Sequence, residues 1–451
     1  VTPWILTQLK NNKTMKTFKN INLVLILLCF SFSYAQQTPA NDQAMDFAIV
    51  GATAHIGNGT VIDNSLIIVS NGKITKVLDN SQPNAVTLQA MDIIDAKGKH
   101  VYPGFIVVNG TLGLVEVDAV KASNDLSELG TFNPHIRSII AYNAESKIVE
   151  SMRPNGVLLG QVVPRGGRIT GTSSVVQYDA WNWEDASIKM DNGLHINWPN
   201  SFSRGRWWLG EDPGLKPNKN YAKQVKELGN YFKEAKSYNS GAKKEVHLPF
   251  EGMTGVFDGT KRLYINANDE KGITDAVNFA KAHGVDQITI VGAYEAGNMI
   301  EFLKRNNVSV FLRRVHTRPN AEDDDYDLPF KLAQKLVDGG VLAALEPSGQ
   351  MERMNSRNLP FYAGTTAAYG LTKEQALQLI TENPAKILGI DDMYGTLEEG
   401  KSATLFISEG DALDMRTNII HHAFIDGRKL SLESHQTELW QRYSKKYGLE
   451  D

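Results

Sequence analysis

Between residues 101 and 394 the chain alternates short apolar runs with helical segments, and that rhythm limits its fold more than any other feature. The runs at 101–108, 156–163, 174–178, 263–267, 287–292, 308–312 and 341–345 have strand length and end in polar loops. Segments 272–283, 296–305 and 329–338 between them carry apolar residues at helical spacing. Repeated βα units make a parallel sheet, and this many predict a closed (β/α)₈ TIM-like barrel of the α/β class. Residues 199–250 break the rhythm and read as an insertion between barrel strands, with a charged amphipathic helix over 221–238.

Both flanks of that region are strand-only. Residues 46–100 hold β-rich runs separated by glycines, with Asn71-Gly72 as a strong hairpin signal. Residues 371–388 predict one helix, opened by Thr372 and Gln375 as a capping box. Short strands return over 395–430, where Asp426-Gly427 supplies a tight turn, and 431–451 reads as an exposed helix. The expected arrangement is a small composite β-sandwich, 46–100 plus 395–430, with the barrel of 101–394 inserted between its halves.

The first 35 residues stand apart. Met15-Lys16-Thr17-Phe18-Lys19 is a basic start, an apolar run covers 21–32, and Ser33-Tyr34-Ala35 offers a cleavage site. This is the pattern of a secretory signal peptide preceded by an upstream extension. The run is too short to span a hydrocarbon core of roughly 30 Å. Removing it takes Lys10, Lys13, Lys16, Lys19 and Cys29, the single cysteine, and no acid. The expectation is an exported protein, periplasmic or secreted, without disulfides and without a transmembrane segment in its mature form. With 47 Lys+Arg against 51 Asp+Glu and no basic stripe, the composition gives nucleic acid nothing to bind.

Four stretches carry a family resemblance. Val69-Ser70-Asn71-Gly72-Lys73-Ile74 is followed by Ile94-Asp95-Ala96-Lys97-Gly98-Lys99-His100-Val101-Tyr102-Pro103-Gly104-Phe105-Ile106. Downstream, Asn383-Pro384-Ala385-Lys386-Ile387-Leu388-Gly389 precedes Gly395-Thr396-Leu397-Glu398-Glu399-Gly400. Together they resemble the amidohydrolase superfamily, in its imidazolonepropionase-like and dihydroorotase-like branch. The resemblance implies a barrel enzyme that hydrolyses non-peptide C–N bonds with a metal-activated water. It also implies a His-x-His pair, often a carboxylated lysine, two further histidines and an aspartate, all at strand ends and holding zinc or another divalent metal.

The chain departs from that ligand set. Asn109 and Thr111 stand at the His-x-His positions, and a spacing of two aims both to one side of an extended strand. Asn266-Ala267-Asn268 and Val291-Gly292-Ala293-Tyr294 stand where the next histidines are expected. No lysine ends a strand expected at 194–198, and Leu345-Glu346-Pro347 lacks the aspartate. His195 and His283 read as a strand start and a helix, away from the catalytic ends. Amide and hydroxyl oxygens are poor ligands for zinc, so no metal ligand is assigned and no cofactor is predicted.

The polar residues left at the presumed mouth supply the candidates. His316 and Glu346 are expected to carry proton transfer, and Asn109, Thr111, Asn266, Asn268, Arg353 and Arg357 to line a substrate pocket. His316 also reads as a loop histidine bonded to backbone, and Glu346 as the partner of a nearby arginine. The acidic run 322–325 lacks a calcium-loop pattern and reads as a solvated loop. Gly166-Gly167-Arg168 lacks the end of a phosphate loop and reads as a tight connection. Two functions follow. One is a hydrolase of a small amide or cyclic amide with an eroded metal centre. The other is a catalytically silent relative that binds a ligand or an active paralogue.

Overall fold

The computed structural model describes residues 39–82, 86–241 and 245–449. The expected signal peptide lies outside the described residues.

Both ends of the described chain build one sheet. Strands β1 (Phe47–His55), β2 (Val61–Ser70), β3 (Lys73–Asp79), β4 (Asp92–Asp95) and β5 (His100–Pro103) come from the first end. Asn71 and Gly72 both take positive φ in the predicted hairpin turn between β2 and β3. β4 runs parallel to the first half of β1 and β5 to its second half. The other end returns after the barrel as β16 (Leu405–Ser408), β17 (Ile420–Ile425) and β18 (Arg428–Lys429), with β16 antiparallel to β5. One face buries Ile49, Ile67 and Val69 with Leu405, Ile407 and Phe424, so neither end owns a complete core.

The barrel sheet runs β6 (Phe105–Gly110), β7 (Val157–Val162), β8 (Ile169–Gln177), β9 (Ser187–Asn197), β12 (Arg262–Ala267), β13 (Ile288–Gly292), β14 (Ser309–Leu312) and β15 (Ala343–Leu345). Neighbours are parallel except at β8, which is antiparallel to both β7 and β9. The connection from β7 to β8 is six residues, too short for a crossover, which needs about a dozen. Gly166 and Gly167, both at positive φ, turn it. A hairpin of β10 (Phe202–Arg204) and β11 (Leu215–Pro217) leaves the barrel between β9 and β12. The helix Tyr221–Ser240 that follows buries Leu228, Phe232 and Ala235 in the main core, so it belongs to the outer layer of the barrel.

The single helix expected over 371–388 is two, Lys373–Gln378 and Glu382–Leu388. The predicted Thr372–Gln375 capping box opens the first. Helical periodicity carries through the break because Leu377, Leu379 and Ile380 are all buried. What breaks it is the barrel: Leu345 N–H donates to the Leu379 carbonyl (3.0 Å) and Ile106 N–H to the Ile380 carbonyl (2.9 Å). Those two carbonyls bridge the edges of β15 and β6, where unpaired amides would otherwise be buried.

Inside the barrel, space is set by glycine. A Cβ on Gly160 of β7 would fall 1.8 Å from the Tyr178 hydroxyl oxygen, and both residues are buried. Gly160→Ala is expected to lower the unfolding free energy by about 1–3 kcal/mol through overpacking. Urea denaturation would check it; an unchanged midpoint would mean that Tyr178 moves aside freely.

Candidate functional site

The C-terminal ends of the barrel strands carry a buried polar network centred on Asn109. Asn109 does not continue β6 as an extended residue: φ is +51°, and the pairing with β7 slips between Val107 and Gly110. Asparagine tolerates this left-handed conformation. The alternation expected from the spacing of 109 and 111 is therefore replaced by a bulge. Even so, both side chains join one network.

Asn109 Nδ2 donates to Glu346 Oε2 (2.5 Å) at the end of β15, and Ser348 Oγ donates to Glu346 Oε1 (2.7 Å). Arg165, just past β7, donates through Nη1 to Asn109 Oδ1 (3.0 Å) and through Nη2 to the Asn109 carbonyl (2.7 Å). The same Nη2 lies 3.2 Å from Glu352 Oε2. Thr111 Oγ1 donates to Glu352 Oε1 (2.8 Å), and Arg353 Nη1 donates to Thr111 Oγ1 (3.3 Å). Arg353 also pairs with Asp118.

Below this ring a second chain enters the barrel. Gln161 Oε1 accepts from Asn109 N–H (3.0 Å), Gln161 Nε2 donates to Ser173 Oγ (3.0 Å), and Ser173 Oγ meets His195 Nε2 (2.8 Å). His195 is a correction. It lies two residues from the C-terminal end of β9, inside the barrel, with its ring stacked 4.5 Å from that of Tyr264. The strand starts seven residues before the expected 194 because β9 extends along β8, so His195 falls near its far end. Burial, and then the Arg165 charge, push its imidazole well below the ordinary histidine range, which keeps it neutral.

Glu346 is 1 % exposed. Burial raises its carboxyl to about 7, against the opposing pull of Asn109, Ser348 and Arg165. A carboxyl half-ionised near neutrality can both accept and return a proton.

The remaining candidates are elsewhere. Asn266 and Asn268 line a cavity of about 820 Å³ beside the ends of β9 and β12, walled by Arg168, Trp198 and the β10–β11 hairpin. Asn266 Nδ2 donates to Asn197 Oδ1 (2.9 Å) there. His316 is not in the Glu346 network. Its Nε2 meets Thr365 Oγ1 (2.7 Å), its ring packs edge-on to Tyr362 (4.9 Å), and it lines a separate cavity with Lys373 and Asp411. The Arg357 carbonyl accepts from Asn155 Nδ2 (2.7 Å), and its guanidinium joins none of the network bonds above. In the acidic run, Asp324 Oδ2 accepts from the Tyr294 hydroxyl (2.7 Å) and Asp325 pairs with Lys331.

Arg165, Glu352 and Gln161 were not anticipated from the sequence. An arginine ending a barrel strand opposite two neutral positions was the signal available for Arg165; Glu352, beside Arg353, offered none.

This donor set does not fit a zinc-type centre. Among the described residues, no three of His, Cys, Asp and Glu converge. Positions 109 and 111 present an amide and a hydroxyl, each already bonded within the network.

Residues 337–430 match the Amidohydrolase family. An imidazolonepropionase of Flavobacterium johnsoniae is 21% identical over 412 residues, covering 81% of this chain and 92% of the relative. One of Flavobacterium psychrophilum is 28% identical over 108 residues, 22% of this chain and 26% of the relative, so that match spans about a quarter of its length. The structure of an amidohydrolase from Thermotoga maritima MSB8 superposes with a TM-score of 0.74 at 23% identity, covering 85% of this chain and 99% of that one. That likeness extends to the barrel and the additional domain.

Proposed function

From membership of the amidohydrolase superfamily, to which this chain belongs, we infer that it hydrolyses the C–N bond of a small amide or cyclic amide by proton transfer at Glu346. The observation that carries this reading is a carboxyl at a barrel strand end, buried and held by Asn109 and Ser348, which burial raises to about 7. As water adds to the amide carbon, the ionised Glu346 takes its proton. The protonated carboxyl then delivers that proton to the leaving nitrogen as the C–N bond breaks. Asn109 and Ser348 hold the carboxylate in place through one oxygen each. No step runs through a metal, because the donors at the strand ends do not suit one.

A panel of linear and cyclic amides, assayed with and without chelator, tests the proposal. Turnover is expected to survive chelation, to be lost in Glu346→Gln and to persist in His316→Ala, whose imidazole faces a different cavity. Chelator-sensitive turnover would refute the assignment.

One observation favours the second reading, a binding protein without turnover. Both Glu346 oxygens are engaged by neighbours and the side chain is sealed from solvent. That reading expects amides to raise the melting temperature while none is consumed. The basic start and apolar run within residues 15–35 support an exported protein.

A further inference from the structure

We propose that Arg165 is the resident cation of this barrel mouth: its guanidinium fills the place in which a mobile ion would be held, and the site takes up no free metal. The acceptors around it are all oxygen. Asn109 Oδ1, the Asn109 carbonyl and Glu352 Oε2 lie 2.7–3.2 Å from its two terminal nitrogens. They come from two separate parts of the fold, the bulged end of β6 and the segment after β15. Glu352 also accepts from Thr111, so the guanidinium is tied to both positions at which the resemblance expects metal ligands. Glu346 is one amide group further on.

The charge balance explains why a cation is needed. Glu346 and Glu352 are 1 % and 9 % exposed, and a second positive group reaches the network through Thr111 and not through either carboxylate. Buried carboxylates need a paired cation or lose their charge. A planar guanidinium meets an amide oxygen, a carbonyl and a carboxylate at once, which an ammonium cannot reproduce with the same geometry. The Arg165 backbone is anchored as well, since its main-chain N–H donates to the Leu126 carbonyl (2.7 Å).

This goes beyond the hydrolase reading and does not depend on turnover. Two measurements on the whole protein test it. First, Arg165→Met leaves an oxygen-lined hole of guanidinium shape. Its melting temperature is expected to fall by about 5 °C, and millimolar guanidinium is expected to restore most of that loss where equal sodium chloride does not. The wild type should not respond. An unchanged melting temperature in Arg165→Met, or no selective rescue, overturns the proposal. Should Arg165→Met fail to fold, Arg165→Met with Glu352→Gln removes the cation together with a carboxylate it neutralises. Recovery of folding in the double variant supports the proposal, and equal failure overturns it. Second, elemental analysis after incubation with Zn²⁺ or Mn²⁺ and desalting should find no stoichiometric metal on the wild type. One ion per chain, lost in Glu352→Gln, overturns the proposal whether or not Glu346 proves catalytic.

Discussion

Glu346→Gln is expected to cut turnover by about two to four orders of magnitude, the range for loss of a positioned general acid–base. It should also change how stability responds to pH. In the fold, burial keeps this carboxyl protonated up to about 7, against a usual value of 4.5. The folded chain therefore holds a proton that the unfolded chain releases. The stabilising share is complete below the unfolded value and is lost as pH rises through the folded one. Glutamine never ionises. Between acid and mildly alkaline pH the variant should gain on the wild type by about 3 kcal/mol. Urea unfolding at several pH values would show it. Parallel stability curves would mean that the Glu346 carboxyl titrates in the fold as it does in the unfolded chain, and the proton-transfer role would go with them.

Asp179→Ala should be the most destabilising single change. Asp179 follows β8 and is buried; its Oδ1 lies 3.3 Å from Arg153 Nη1 and its Oδ2 2.8 Å from Arg428 Nη1 on β18. Oδ2 also accepts from Ala40 N–H (2.9 Å). One carboxylate thus joins the barrel to the sheet made by the chain ends. Removing it leaves Arg153, about as buried, without its partner, and breaking such a pair costs about 3–5 kcal/mol. Thermal unfolding is expected to show a large drop. Replacing Arg153 as well, by methionine, should return part of it, because the stranded charge goes too. A drop below about 1 kcal/mol would show that the pair behaves like an exposed one.

Features that depend on neighbours in sequence could be read without coordinates. The Asn71-Gly72 hairpin and the Thr372–Gln375 cap are examples, since turn and cap chemistry act within four residues. Asn109, Thr111 and Glu346 could be placed at strand ends from the apolar runs before them taken together with the family resemblance. What could not be read was set by partners far along the chain. The break at residues 379–381 follows from amides on β6 and β15 that need acceptors. The bulge at Asn109 depends on Arg165 and Gln161, which grip it from β7 and its turn. His195 was misplaced because β9 begins with half-exposed residues outside the apolar run that marked it. His316 and Glu346 both follow barrel strands. The chain leaves the rim directly after β14, and His316 goes with it to Thr365.

The sheet shared by both ends has a consequence for biosynthesis. β5 pairs with β16, which lies some three hundred residues later, so the nascent chain must carry an apolar edge uncovered while the whole barrel is made. Such edges invite capture by chaperones or by other nascent chains. Maturation of this protein should therefore be governed by β16–β18: chains stalled on the ribosome before Leu405 would keep β1–β5 open to protease, and protection of those strands at that stage would show that they close unaided.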